Sequence, residues 1–329
     1  MPTPLKTGDV LRERYKIRRI IGQGGMGCIY LADDLRLEGR KCALKEVEYD
    51  GSMAEDLLHQ ARDQFGREAT VLARLDHPNL PKVSDFFSEG PRDYLVMDFV
   101  PGKDLRTVMT EARQAGTFLD ERDVLGWANQ IADALTFMHN QDPPILHRDI
   151  KPSNLKLTPS GLIKLVDFGL VKIQASEEQT ITILQGRGTA LYTPLEQYGG
   201  DTGHTDARSD IYAFGGTLYH LLTNHPPVEA RERFLHPDRL VLPRQLNPNL
   251  SYRTERAILW ALSLHPDERP QDMTALRKAL FGTLEPGTQP RRPALIPTMA
   301  DLISSSPENI LVVITAGLLI LSLLFTLFR

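Results

Sequence analysis

A ten-residue stretch from His147 to Lys156, HRDIKPSNLK, constrains this chain more than any other part of it. The stretch contains one carboxylic acid, one amide, one histidine and three cations. Taken alone, it fits either a solvated loop of mixed charge or an active site that is almost continuous in sequence. The motifs before and after it decide between the two.

A glycine-rich segment, GQGGMG at residues 22–27, matches the phosphate-binding pattern G-x-G-x-x-G. The pattern alone fits several nucleotide-binding folds and also a flexible turn. In a dinucleotide-binding fold the last glycine opens a helix. Here CIYLA follows, and its β-branched Ile29 and aromatic Tyr30 predict a strand. The sequence therefore predicts a strand–glycine loop–strand hairpin, with backbone N–H groups facing phosphates.

The next strand should supply a cation for those phosphates. CALKEV provides Lys45, and Ala43 lies two residues earlier on the same face of the strand. A lysine beside a nucleotide needs a fixed counter-charge, and Glu68 on the following helix is the best candidate. Glu55 and Asp56 are alternatives, but they lie several turns earlier, at a helix start that we expect to be exposed.

The stretch HRDIKPSN resembles the H-R-D-x-x-x-x-N catalytic loop of eukaryotic-like protein kinases, and DFG at residues 167–169 follows the apolar strand LIKLV. With the glycine loop, the lysine and the glutamate, the order of motifs is similar to that of bacterial serine/threonine kinases over residues 15–281. The resemblance implies an α+β, two-lobed protein kinase fold. Its N-lobe, residues 15–100, would be an antiparallel sheet plus one helix, and its C-lobe, residues 101–281, would be mainly helical.

The resemblance also implies roles for the residues of the loop. Asp149 would orient the substrate hydroxyl, and Lys151 would lie beside the γ-phosphate. Asn154 and Asp167 are oxygen ligands suited to Mg²⁺, with Mn²⁺ as a substitute. His147 would support the loop rather than act as a base.

The same resemblance implies the residues that surround ATP. Met97 would be the gatekeeper, and Lys156 occupies a position that is usually apolar and lies under the adenine. The Asp98 and Val100 backbones would bond adenine, and Asp104 would contact the ribose. The full set of implied ATP contacts is Ile21, Gly22, Gly24, Gly27, Ile29, Ala43, Lys45, Glu68, Asp98, Val100 and Asp104.

An activation segment is implied between Gly169 and Glu196. Its phosphorylation candidates are Ser176, Thr180 and Thr182, and Arg148 would be the receptor for a phosphate there. Thr189 matches the threonine that links Asp149 to Lys151 in serine/threonine kinases.

Three further residues are implied to be structural supports. PLE at residues 194–196 replaces the usual A-P-E, and its Glu196 should pair with Arg269. Asp210 should brace the backbone of the catalytic loop.

Composition limits the other classes of function. The formal net charge of −4 gives no reason to expect a nucleic-acid partner. The two cysteines, Cys28 and Cys42, predict no disulfide framework and fit a reducing compartment. The first 15 residues lack the apolar core of a signal peptide.

The C-terminal segment has a different character. Residues 310–328 form a run of 19 residues without a charge, and as a helix this run would span about 28 Å, close to the thickness of a bilayer core. Residues 282–309 are rich in Pro, Ser and Thr and predict a linker. Because ATP is cytosolic, we expect a single-pass anchor in the plasma membrane with the kinase domain in the cytoplasm.

The function predicted from sequence is a membrane-tethered serine/threonine protein kinase that uses ATP and Mg²⁺ to phosphorylate proteins. A homodimer would allow one copy to phosphorylate the activation segment of another. Two alternatives are a pseudokinase scaffold and a small-molecule phosphotransferase of related fold. The lysine and both catalytic-type aspartates are present, which disfavours the first alternative. The DFG–Thr189–PLE region disfavours the second, because a peptide-binding platform needs it.

Overall fold

The computed structural model describes residues 4–24, 27–49, 54–167, 190–198 and 205–282. The chain divides into two units, Met1–Thr283 and Leu284–Arg329. None of the helices in the described ranges is long and apolar enough to cross a membrane. The predicted span at residues 310–328, and the predicted linker apart from Gly282, lie outside the described residues.

The N-terminal part of the first unit is a six-stranded antiparallel sheet with the order β1-β2-β3-β4-β6-β5. Helix α1 (Glu55–Ala73) connects β4 to β5 and packs against β5 and β6. The six strands are β1 (Val10–Leu11), β2 (Tyr15–Gly24), β3 (Gly27–Asp34), β4 (Lys41–Glu48), β5 (Val83–Glu89) and β6 (Arg92–Asp98).

The glycine-rich segment joins β2 to β3 as a hairpin, and Gly24 pairs with Gly27. The prediction of a strand after the last glycine is therefore confirmed, and the dinucleotide-fold alternative is excluded. At Gly27 the backbone has a φ of +136°, and an added Cβ would lie 2.4 Å from the Glu46 carbonyl oxygen. Only glycine fits this close approach between β3 and β4.

The two faces of the sheet bury different sets of side chains because successive strand residues point to opposite sides. Ala43 and Met97 belong to the main core, which also contains Phe65 of α1. Tyr30 and Leu44 belong to a second core on the other face. Both cysteines are free and buried, as expected for a chain without a disulfide framework.

The C-terminal part of the first unit is mainly helical, as predicted. Five of its helices begin at a side chain that accepts a bond from a backbone N–H, and each such cap contributes about 1 kcal/mol. The helices are α2 (Leu105–Gln114), α3 (Glu121–His139), α4 (Ala207–Thr223), α5 (Ala230–Leu235), α6 (Pro243–Leu246), α7 (Tyr252–Ala261) and α8 (Met273–Phe281).

A small antiparallel sheet lies beside these helices. Its strands are β7 (Lys103–Asp104), β8 (Leu155–Leu157) and β9 (Ile163–Leu165), with β8 in the centre. Strand β8 directly follows the catalytic-type loop, and β9 directly precedes the residues Val166 and Asp167. The sheet therefore fixes the two sequence motifs next to each other.

Gly102, just before β7, allows the backbone there to lie very close to β8. Its φ is +111°, and an added Cβ would lie 2.0 Å from the carbonyl oxygen of Leu157. We expect Gly102→Ala to lower the free energy of unfolding by on the order of 2 kcal/mol or more, because strain and a backbone clash combine. Urea denaturation measures the change.

Gly161→Ala is the matched control for this substitution. Gly161 also has a positive φ, +81°, but nothing lies within 4 Å of an added Cβ. It should cost only the conformational strain, about 1 kcal/mol. Equal losses in the two variants would contradict the close approach at Gly102.

Candidate active site

Asp210 of α4 supports the catalytic-type loop from below. Its carboxylate is fully buried and accepts hydrogen bonds from the backbone N–H groups of His147 at 2.8 Å and Arg148 at 2.7 Å. His139 Nε2 lies 2.9 Å from the same carboxylate. Burial alone would raise the pKa of Asp210, but the bonds from His139 and the loop hold it below its ordinary value. Asp210 thus braces the loop backbone as an ionised group.

The loop backbone is bent at Arg148, where φ is +63°. This left-handed conformation is uncommon outside glycine, and here it allows two successive N–H groups to reach one carboxylate. His147 is fully buried, and burial lowers its pKa below its ordinary value. A neutral buried imidazole fits the expected supporting role better than that of a base.

One carboxylate oxygen of Asp149 accepts two hydrogen bonds, and the other accepts none from a described residue. Its Oδ2 accepts from Lys151 Nζ at 2.7 Å and from Asn154 Nδ2 at 2.9 Å. Asn154 Nδ2 also donates to the Asp149 carbonyl oxygen at 2.8 Å. The buried Oδ1 accepts no hydrogen bond from any described residue. Asp149 is therefore fixed in orientation and keeps one oxygen for a further donor.

Asp167 lies next to Asn154 because the N–H of Val166 donates to the Asn154 carbonyl oxygen at 2.8 Å. Its backbone φ is +59°, and its carboxylate is 2.5 Å from Lys45 Nζ. Burial acts to raise the pKa of Asp167, but the charge of Lys45 holds it below its ordinary value. The two sequence motifs and the β4 lysine therefore meet at one place.

Glu68 is buried on α1, and its Oε1 accepts from Gln64 Nε2 at 2.8 Å. Glu55 and Asp56 are exposed in the first turn of α1, so burial favours Glu68 among the three candidates. Lys45 forms an ion pair with Asp167, and a pair between Lys45 and Glu68 stays a prediction.

The residues expected on the adenine side lie on strands β3, β4 and β6, near Lys45. Ile29 lies opposite Lys45 in the register of β3 and β4, and Ala43 lies opposite Met97 in β4 and β6. At the end of β6 the N–H of Asp98 donates to the Lys82 carbonyl oxygen at 2.9 Å. A backbone contact from Asp98 to adenine would therefore use its carbonyl group.

The remaining expected ATP contacts lie at the edges of this region. Ile21 and Gly22 are partly buried in β2, and Val100 is buried just after β6. Asp104 caps α2, because its Oδ1 accepts from Thr107 N at 2.9 Å and from Thr107 Oγ1 at 3.1 Å. Because Oδ1 caps the helix, a ribose contact by Asp104 would use Oδ2, and this contact stays a prediction.

Glu196 and Arg269 form a bidentate ion pair with distances of 2.6 and 3.0 Å. Ser209 Oγ also donates to Glu196 at 2.8 Å. Arg269 is fully buried and donates to the carbonyl oxygens of three further residues, Ser263, Leu264 and Arg208. The pairing expected from the sequence is present, so the replacement of A-P-E by PLE does not disrupt it.

Several predicted residues lie outside the described part of the chain. These are Phe168 and Gly169 of the DFG motif, Thr189, and the phosphorylation candidates Ser176, Thr180 and Thr182.

Two supporting residues were missed at the sequence level. His139, in the last turn of α3, contacts Asp210, and Thr217 Oγ1 of α4 donates to the Ile150 carbonyl oxygen at 3.1 Å. Both act across distant parts of the chain. His139 lies eight residues before the loop, but the sequence around it has no chemical pattern that predicts a contact with Asp210.

The fold and the loop together define a protein kinase domain. Residues 15–281 match the family model described as the protein kinase domain, and the chain belongs to this family.

Similar proteins agree with this assignment. A probable serine/threonine-protein kinase of Clostridium acetobutylicum is 35% identical over 271 residues, which cover 80% of this chain and 39% of that protein. The serine/threonine-protein kinase PknB of Mycobacterium leprae is 32% identical over 318 residues, covering 93% and 49%. The chain thus spans about half or less of the length of these curated relatives.

Solved structures show the same fold. The apo form of PpkA-294 has a TM-score of 0.67 and 29% identity, covering 84% of this chain and 99% of that one. The Mycobacterium tuberculosis PknI kinase domain has a TM-score of 0.64 and 29% identity, covering 84% and 97%.

Proposed function

We propose that this chain is a serine/threonine protein kinase that transfers the γ-phosphoryl group of ATP to protein hydroxyls. The observation that carries the proposal is Asp149, with one oxygen held by Lys151 and Asn154 and the other without a donor among the described residues. A substrate hydroxyl is such a donor. The serine/threonine kinase names of the relatives support the same class of acceptor.

The residues beside Asp149 fit a nucleotide with its metal. Because Asn154 Nδ2 donates to Asp149, its Oδ1 is the amide atom that can serve as a ligand. Asp167 supplies an ionised carboxylate next to it, and both are oxygen donors of the kind that Mg²⁺ prefers. Lys45 and Lys151 bring two positive charges to the same place.

Catalysis by this arrangement rests on positioning and charge. Bound ATP with Mg²⁺ supplies the phosphoryl group and neutralises part of its charge. Asp149 Oδ1 would accept a hydrogen bond from the acceptor hydroxyl and direct its oxygen towards the γ-phosphorus. The new oxygen–phosphorus bond would form as the bond to the ADP oxygen breaks, and the hydroxyl proton would pass to the Asp149 carboxylate. Lys151, which donates to Asp149 Oδ2, would stabilise the negative charge of the transferred group. Asp210 keeps the loop in place through its bonds to the His147 and Arg148 backbone.

A direct assay distinguishes this function from its two alternatives. Purified chain is incubated with ATP and Mg²⁺, and with either a generic protein substrate or an aminoglycoside. We expect phosphate on serine or threonine of the protein and none on the aminoglycoside. Phosphate on the aminoglycoside alone would favour the small-molecule enzyme. The absence of transfer from a chain that binds ATP would favour the scaffold.

Mass spectrometry of the incubated chain itself tests whether its activity is controlled by phosphorylation. We propose that the chain phosphorylates its own activation segment at Thr180 or Thr182, with Ser176 as a further candidate. The side chain of Arg148 supports this proposal, because its Nε is buried and donates to no described residue. An unmodified segment in fully active protein would refute it.

Lys156 is the unusual residue near the expected adenine position. Its Nζ donates to the Gly102 carbonyl oxygen at 3.2 Å, which supports a stem lying under the base with the ammonium directed away from it. We expect Lys156→Leu to leave the KM for ATP equal or slightly lower, with an unchanged ratio of the KM values for ATP and GTP. Lys156→Met, which keeps an unbranched stem, is the matched control. A marked loss of discrimination in both variants would indicate that the ammonium contacts the purine.

We also propose that residues 310–328 anchor the kinase domain at the plasma membrane, facing the cytoplasm. The support is the uncharged run of 19 residues in the sequence and the cytosolic location of ATP. A chain ending at Phe281 should be soluble without detergent, whereas the full chain should require it. Recovery of the full chain in the detergent-free soluble fraction would overturn the anchor.

A further inference from the structure

Helix α2 presents two arginines on one exposed face. Arg106 and Arg113 are seven residues apart, which is close to two helical turns, with Thr110 between them. Leu105 and Met109, on another side of the helix, are buried. We call Arg106, Thr110 and Arg113 the α2 face.

Helix α2, which carries the α2 face, lies beside the catalytic loop. Helix α2 packs against the short 3-10 turn Pro152–Asn154, which directly follows Lys151, and also against α4. At its far end, Asn224 Nδ2, just after α4, donates to the Thr117 carbonyl oxygen at 3.0 Å. Helix α2 therefore runs from the catalytic loop towards the end of α4.

The charges of this face are not neutralised within the described chain. The guanidinium groups of Arg106 and Arg113 are exposed, and no acid of the described residues pairs with either. Of the nearby carboxylates, Asp104 caps α2 through its Oδ1, and Glu111 pairs with Lys103 at 2.7 and 2.9 Å. The chain as a whole has a net charge of −4, so this positive surface is a local property.

His220 of α4 lies in the positive electric field of the same two arginines. Burial, followed by the charges of Arg106, His225 and Arg113, lowers its pKa to about 4. The imidazole is therefore neutral near pH 7, and its Nδ1 lies 2.6 Å from the hydroxyl of Tyr192. Tyr192 belongs to the segment that precedes Glu196, and the charge of Arg106 also acts on its hydroxyl, so the positive field extends to Tyr192.

We propose that the α2 face recognises anionic side chains that flank the acceptor residue of the protein substrate. This inference rests on the proposed kinase function. An acceptor hydroxyl at Asp149 Oδ1 brings its flanking residues across the surface next to the catalytic loop, and Arg106 is the α2-face cation nearest to the start of the helix. An exposed guanidinium without a partner among the described residues can bind a carboxylate or a phosphate through two parallel hydrogen bonds. Basic flanking residues find no available carboxylate on this face.

Four versions of one acceptor peptide test the proposal on the full chain. The positions on both sides of the acceptor carry glutamate, glutamine, arginine or phosphoserine. We expect kcat/KM for the glutamate peptide to exceed that for the glutamine peptide by on the order of tenfold at low salt. The arginine peptide should be the poorest, and the differences should shrink at high salt because exposed charges are screened.

Variants assign the preference to the α2 face. Arg106→Glu should reverse the order of the glutamate and arginine peptides, and Arg106→Gln should abolish the preference while melting like the unaltered protein. Arg36→Glu is the matched control, an exposed arginine in the β3–β4 turn, and should keep the original order. A gain with phosphoserine alone would support the face and assign phosphate as its anion.

Two results separate the inference from the function on which it rests. Equal kcat/KM for all four peptides, or a glutamate preference that survives both Arg106 variants, would overturn the role of the α2 face while leaving the kinase function intact. The absence of phosphate on every peptide and on a generic protein would instead overturn the kinase function itself.

Discussion

Asp149→Asn is expected to lower kcat by on the order of 10²- to 10⁴-fold, because an amide cannot accept and orient the hydroxyl as a carboxylate does. The substitution keeps the size of the side chain. An amide oxygen can still accept the bonds from Lys151 and Asn154 that hold Oδ2 in the native protein. Steady-state kinetics with a protein substrate give the change in kcat.

ATP binding and folding should survive in this variant. A thermal shift on adding ATP and Mg²⁺ that matches the native shift would show this. Asp133→Asn, at an exposed carboxylate of α3, is the control and should retain native turnover. Native kcat in Asp149→Asn protein, freed of any other kinase, would refute the assigned role.

Arg269→Ala is expected to lower the free energy of unfolding by about 3–5 kcal/mol. Arg269 is fully buried, and its removal leaves Glu196 without its bidentate partner. It also leaves the carbonyl oxygens of Ser263 and Leu264 without a donor. Partly buried polar groups that lose their partners carry the full cost of desolvation. Chemical denaturation of a chain ending at Phe281 measures the loss.

Arg239→Ala is the matched control for Arg269. Arg239 also pairs with a glutamate, Glu232, but both side chains are largely exposed, with 57% and 41% of their surface accessible. Exposed pairs contribute at most about 1 kcal/mol, so this variant should unfold almost like the native protein. Similar losses in the two variants would mean that burial does not set the cost at Arg269.

The catalytic-type loop could be predicted because its chemistry is local in sequence. Asp149, Lys151 and Asn154 lie within six residues of each other, and the 3-10 turn at Pro152–Asn154 brings them together. Asp167 follows a short strand that pairs with the strand after Asn154, so its placement also follows from nearby sequence. The hairpin at Gly24 and Gly27 was predictable from the residue types that flank it.

Contacts between distant side chains could not be predicted in the same way. The bond from Lys156 to the Gly102 carbonyl oxygen depends on the pairing of β7 with β8, which are short strands far apart in sequence. The capping role of Asp104 competes with its expected ribose contact, and sequence alone does not rank the two. His139 contacts Asp210 only because α3 and α4 pack together. Tertiary packing, and not a local pattern, decides each of these.

The most direct test of the central claim is tandem mass spectrometry of a generic protein substrate after incubation with the purified chain, ATP and Mg²⁺. The arrangement of Asp149, Lys151, Asn154 and Asp167 predicts phosphoserine or phosphothreonine that increases with the amount of native chain and is nearly absent with Asp149→Asn. No phosphorylated serine or threonine, or equal amounts with the native and Asp149→Asn chains, would contradict it.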